Sequence, residues 1–204
     1  MNKVKQRRIK SLILLSLSIV CIGFGIALFF QHFPPFFRGY TAVSPITEKE
    51  VVEVTPIEND SKGEVVYLNK PDIGDEMGVL TIPKLNAELP IFYGTSEDEL
   101  EKGVGHFAGS VLPGLKDNSV LSGHRDTVFR RLGEVGVDDL LVVTTEAGEF
   151  TYKVRKVRIV DEDDRTVIVP RPKATLTVTT CYPFDFIGSA PERYVLVADL
   201  VEPE

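Results

Sequence analysis

The chain has 204 residues, 43% of them hydrophobic and 26% charged, which fits one ordinary domain plus an accessory segment and excludes a wholly disordered polymer. A net charge of −7 argues against a nucleic-acid binder, which needs a basic face against phosphates. Two cysteines exclude a disulfide scaffold, and three histidines provide poorly for a multi-ligand zinc site.

Residues 1–10 form a basic tail, with Lys3, Lys5, Arg7, Arg8 and Lys10 and no acid. Ser11 to Phe30 then runs for twenty residues without a charge, enough helix to cross the roughly 30 Å hydrocarbon layer of a bilayer. A cleaved signal peptide is the competing reading. The length of the run disfavours it, as does Gln31-His32-Phe33-Pro34-Pro35, which lacks a small-residue cleavage site. The basic flank stays cytoplasmic, so residues from about 31 onward are expected outside the cell membrane. Beyond the tail, 18 basic residues face 30 acidic ones, a net charge of −12, so lipid contact is expected through residues 11–30 alone. Cys21 falls in the anchor, which leaves Cys181 as a single outer thiol without an intramolecular partner.

Residues 31–76 carry Pro34, Pro35, Pro45, Pro56 and Pro71 and no sustained period, and read as a linker. Glu64 to Leu68 is the best candidate there for a short helix or strand. Val79–Ile82 and Leu89–Tyr93 read as strands, and Ser96 caps an acidic helical turn over Glu97–Glu101. Ser119–Ser122 and Leu140–Thr145 follow. From Glu149 a long strand alternates through Phe150, Tyr152 and Val154, then falls out of phase at Val157 and Ile159, which predicts a β-bulge near Arg155 and Lys156. Thr175–Thr180 and Tyr194–Val201 complete about eight strands. The expectation is an all-β domain over 77–204, a closed eight-stranded β-barrel with short helices in its loops, preceded by the transmembrane helix.

Three stretches place reactive side chains where an apolar strand meets a loop with Gly or Pro. They are Ser122-Gly123-His124-Arg125-Asp126, Thr177-Val178-Thr179-Thr180-Cys181-Tyr182-Pro183, and Ala190-Pro191-Glu192-Arg193-Tyr194. A free thiol near pKa 8.5 is mostly protonated at neutral pH, and imidazole is the natural group to share its proton. A guanidinium stays charged and offers a planar fork of donors to an oxyanion. Cys181, His124 and Arg193 together therefore supply acyl-transfer chemistry without a metal or other cofactor. Taken singly, each has a bland reading: a packed thiol, a loop histidine, an edge charge.

The local words resemble those of the sortases, cysteine transpeptidases of Gram-positive surfaces. Thr177-Val178-Thr179-Thr180-Cys181 is similar to the family's Thr-Leu-x-Thr-Cys signature. Gly105-His106-Phe107-Ala108-Gly109-Ser110 through Pro113-Gly114 resembles its Gly-His-x-x-Gly-Thr…Pro-Gly segment, and Arg193 matches the arginine that begins the last strand. The resemblance covers about 76–203. It implies that Cys181 attacks a Leu-Pro-x-Thr-Gly/Ala-like sorting signal after Thr, with His124 as acid and base. Arg193 and a backbone N–H near Cys181 would hold the oxyanion. It also implies secreted proteins with such C-terminal signals as substrates and a peptidoglycan-precursor amine as acceptor. Thr179, Thr180 and Tyr182 would lie beside the substrate. His106 is a further lining candidate, although acyl transfer needs one imidazole and a structural loop role is the simpler reading. Asp161, Glu162, Asp163 and Asp164 are weak calcium candidates, since some sortases bind calcium there, but their spacing matches no calcium loop. The words around Cys181, His124 and Arg193 most resemble class D. A thiol protease that only hydrolyses, and a surface β-barrel binding module in which Cys181 merely packs, are the alternatives.

Overall fold

The computed structural model describes residues 12–30, 43–45, 65–185, 188 and 190–201. The basic tail and most of the expected linker lie outside them. Helix α1, Leu12–Phe30, is 19 residues long and carries no charge. At 1.5 Å per residue its length suits a single membrane crossing.

The second unit is built from strands β1 (Ser44–Pro45), β2 (Glu76–Ile82), β3 (Ala87–Tyr93), β4 (Val104–His106), β5 (Asn118–Ser122), β6 (Leu140–Thr145), β7 (Gly148–Asp161), β8 (Thr175–Tyr182) and β9 (Glu192–Leu200). They pair in the order β1-β3-β2-β6-β7-β9-β8-β5-β4, and β4 also pairs with β3. That last pairing, parallel over Ile91–Tyr93 and Val104–His106, closes β2 through β9 into an eight-stranded barrel. Closure removes the sheet edges that would otherwise invite aggregation. β1 takes the start of β3, opposite Ala87 and Glu88, where β4 does not reach.

Alternation explains which residues fill the barrel. β3 buries every second side chain, and Leu176, Val178 and Tyr182 of β8 face the main core together with Leu196 and Ala198 of β9. The opposite face of the same strands carries Thr179, Cys181, Arg193, Val195 and Val197. Part of that face is covered by the β7–β8 connection, whose Val167 joins Val160, Val195 and Val197 in a second, smaller apolar cluster. The barrel thus has an outer apolar seam on the face that carries Cys181 and Arg193.

The expected bulge is present: the β7–β9 register shifts between Val154 and Lys156. Helix α2, Glu97–Leu100, begins as predicted at Ser96, with a capping box formed by Ser96 and Glu99. β1 and β4 were not foreseen, because two or three residues give no readable period. No regular element covers the described residues 65–68. Tyr67 instead docks on the barrel, donating its hydroxyl to the Pro113 carbonyl at 2.7 Å. A few residues on, Gly74 N–H donates to the Tyr93 carbonyl at 2.7 Å, so the end of the expected linker runs against the barrel.

Candidate active site

β8 brings Cys181 to the outer face near the strand's end, half-buried. β9 runs antiparallel beside it and sets Arg193 directly opposite Cys181. On the other flank β5 runs parallel to β8, with Ser122 opposite Thr179, so the chain leaving β5 carries His124 to the same end of the sheet. Gly123 N–H donates to the Thr179 carbonyl at 3.3 Å, and the Thr180 hydroxyl donates to the Gly123 carbonyl at 2.7 Å. Thr180 is thereby a fastener between the histidine turn and the cysteine strand. Glycine is required at 123 because a Cβ there would lie 2.6 Å from the Phe129 ring.

Cys181, His124 and Arg193 line one cavity of about 300 Å³, together with Thr179 and Thr180. Leu100, Val160, Val167, Ile168 and Val195 give it apolar walls, and Asp161, Glu162 and Asp164 stand at its rim. A small apolar cavity with convergent polar groups is the usual form of a binding site. His106 and Tyr182 are not brought to it. His106 is fully buried, stacked on Tyr93 at 5.4 Å, with Nε2 donating to the Val111 carbonyl at 3.0 Å. Burial pushes its imidazole below the ordinary histidine range. Tyr182 turns away from Cys181 by strand alternation and packs edge-on to Phe184 at 5.7 Å.

The guanidinium of Arg193 is held rather than loose. Nη1 donates to the carbonyls of Ala190 at 3.0 Å and Glu192 at 2.9 Å, and Nη2 donates to Glu162 Oε2 at 3.1 Å. Guanidinium has five N–H donors. Three are used, which leaves Nε–H and one Nη2–H for an incoming oxygen. On the other side, Glu97 Oε1 lies 3.2 Å from His124 Nε2. Arg125 is 4% exposed and ties the β8–β9 connection, donating to the carbonyls of Pro183 at 2.9 Å and Gly188 at 2.6 Å.

Glu97, Arg125 and Leu100 had no assigned role in the sequence, and Glu162 was named only as a cation ligand. The available signals were the acidic first turn after Ser96 and an arginine beside the histidine with no evident use. The four acids do not fit a calcium ion as they stand. Asp164 accepts from the Thr166 hydroxyl and from Arg158, and these hydrogen bonds hold its carboxyl below the usual range. Glu162 is engaged by Arg193, and Asp161 Oδ1 accepts the Asp163 N–H at 3.0 Å. Among the described residues no three His, Cys, Asp or Glu side chains converge as metal ligands.

Comparison with known proteins matches residues 80–201 to the Sortase domain. Sortase D of Bacillus subtilis (strain 168) is 52% identical over 128 residues, 62% of this chain, and the match spans only 65% of that relative's length. Sortase A of Bacillus anthracis is 25% identical over 221 residues, 98% of this chain and 97% of the relative. Among solved structures, a Sortase D5 transpeptidase of Clostridium perfringens superposes with a TM-score of 0.60 at 27% identity, covering 65% of this chain and 83% of that one. Sortase C1 of Streptococcus agalactiae gives a TM-score of 0.60 at 33% identity, over 69% and 74% of the two chains.

Proposed function

Because the chain belongs to the sortase family, whose members are cysteine transpeptidases, we propose that it cleaves a Leu-Pro-x-Thr-type sorting signal after Thr and joins the new carboxyl end to an amine of the cell-wall precursor. The observation that carries this reading is the meeting of Cys181, His124 and Arg193 on one cavity.

The proposed chemistry follows from what each group can do there. Cys181 Sγ, as thiolate, adds to the Thr carbonyl carbon, and the carbonyl oxygen takes up the negative charge. The two uncommitted N–H groups of Arg193 donate to that oxygen, in a cavity whose apolar walls strengthen the interaction. The C–N bond then breaks, His124 gives a proton to the departing amine, and a thioester remains on Cys181. An incoming amine loses its proton to His124 and attacks the thioester, which forms the new amide and releases the thiolate. Leu100, Val167 and Ile168 offer apolar contact for the Leu and Pro side chains of the signal.

Helix α1 is read as a single-pass anchor with the basic tail on the cytoplasmic side and the barrel outside. Secreted proteins bearing a C-terminal signal are then the donors. The test is mass spectrometry of the full chain in detergent with a Leu-Pro-x-Thr-Gly peptide and a primary amine. An amide product with the amine supports the reading. Hydrolysis alone at saturating amine identifies a thiol protease, and no cleavage of any such peptide rejects both.

A further inference from the structure

Seven of the 18 basic residues that follow the tail lie between Lys153 and Lys173, inside an otherwise acidic domain. The β7 bulge gathers three of them, Arg155, Lys156 and Arg158, on one face. Val154 pairs with Ala198 and Lys156 with Val197, so Arg155 is the extra residue. An extra residue lets two successive side chains share a face that alternation would divide between them. Lys156 and Arg158 stand opposite Val197 and Val195 of the outer apolar cluster, and Arg155 reaches Asp199 on the same side at 2.9 Å.

The β7–β8 connection supplies the facing wall through Arg171, whose backbone N–H is fixed on Asp117 Oδ1 at 2.6 Å. Arg155, Lys156, Arg158, Arg171, Thr166 and Val197 line an open cleft of about 290 Å³. Arg158 is committed to Asp164 and Thr166. Lys156 has no ion-pair or hydrogen-bond partner for its ammonium among the described residues. The Arg171 Nε–H is shielded from solvent and meets no acceptor there. A shielded cationic donor without an acceptor is costly unless a ligand supplies one.

The cleft adjoins the catalytic groove. Asp164 lines the groove and binds Arg158 of the cleft, while Val195 and Val197, two residues apart on β9, line one each. Val197 and Arg193 are separated by four residues of strand, roughly 13 Å. An extended peptide spans that distance easily.

We propose that this cleft binds a diphosphate group carried by the acceptor, so that the acceptor's amine lies along the outer face of β9 toward Cys181. The inference rests on the transpeptidase reading for the identity of the acceptor. Guanidinium forks and an ammonium are the groups that recognise phosphate oxygens. A recess between strand and loop suits one such group better than the plane of a lipid headgroup layer.

The experiment is calorimetric titration of the full chain in nonionic micelles with inorganic pyrophosphate. Saturable binding that weakens with salt is expected, and Lys156→Gln with Arg171→Gln should weaken it about tenfold or more. Cleavage of the sorting peptide should be unchanged, since neither residue lines the groove. Lys156→Glu alone, at an exposed position, serves if the double variant unfolds. Absent binding, or binding undiminished in the variants, overturns the proposal. Loss of association with micelles doped with an anionic phospholipid, without pyrophosphate binding, makes the cleft a membrane contact and also overturns it. Pyrophosphate binding through these residues in a chain that transfers no peptide keeps the cleft and removes the transpeptidase reading.

Discussion

Cys181 and Arg193 are direct partners in the antiparallel register of β8 and β9, so their side chains leave the sheet on the same face. Such cross-strand neighbours have Cβ atoms roughly 5 Å apart, which a carbonyl group fits between. The spacing of thiol and guanidinium is therefore set by backbone hydrogen bonds between β8 and β9. Their distance in sequence conceals a contact that the ladder makes inevitable.

Glu162 is expected to act by positioning Arg193. Its carboxylate holds Nη2 at 3.1 Å, while the Ala190 and Glu192 carbonyls hold Nη1. Glu162→Gln should lower kcat/KM by about threefold to tenfold, the worth of one partly exposed charge-assisted bond. Arg193→Lys loses the planar fork and should cost about a hundredfold in kcat. Steady-state kinetics on a sorting peptide measure both, and an equal loss in the two variants would deny the positioning role.

Arg125 should matter for stability as much as for activity. Its guanidinium is buried and satisfies two carbonyls of the connection that follows Cys181. Arg125→Met leaves those carbonyls unpaired and should cost about 3 kcal/mol, read as a lower Tm together with reduced turnover. Arg125→Lys presents no fork and should recover only part of either loss.

His106 gives the domain an acid-sensitive element. Its folded imidazole titrates below 6.5 because burial disfavours the charged form. The unfolded chain therefore takes up the proton first, and stability contributed by neutral His106 is present above pH 6.5 and is lost as pH falls through the lower folded value. His106→Gln retains a donor for the Val111 carbonyl and cannot titrate. Denaturant midpoints against pH should be flatter for the variant as pH falls below 6.5.

Calcium should not be needed. Glu162 and Asp164 already serve Arg193 and Arg158, so a cation would have to displace two arginines. Turnover measured in chelator and in millimolar calcium is expected to agree. A large calcium activation would show that the β7–β8 connection rearranges around these acids.

Much of this was legible in the sequence because its signals are local. Alternation gave the long strands, the phase change at Val157 gave the bulge, and Ser96 followed by acids gave the start of α2. The words around Cys181, His124 and Arg193 singled out three side chains that the barrel brings to one cavity. The remainder depends on tertiary contact. β4 exists because β3 and β5 offer it partners, not because Val104-Gly105-His106 has a strand's period. The burial of His106 and the use of Glu162 as an arginine partner follow from register. Register joins residues from about a dozen to more than fifty positions apart, and no short window of sequence contains it.

The most direct measurement is intact-mass and peptide-mapping spectrometry of the full chain, acid-quenched after brief exposure to a Leu-Pro-x-Thr-Gly peptide. The account predicts an acyl adduct ending in Thr on Cys181, discharged by a primary amine and absent in Cys181→Ala. An adduct on another residue, or peptide cleavage that persists in Cys181→Ala, contradicts it.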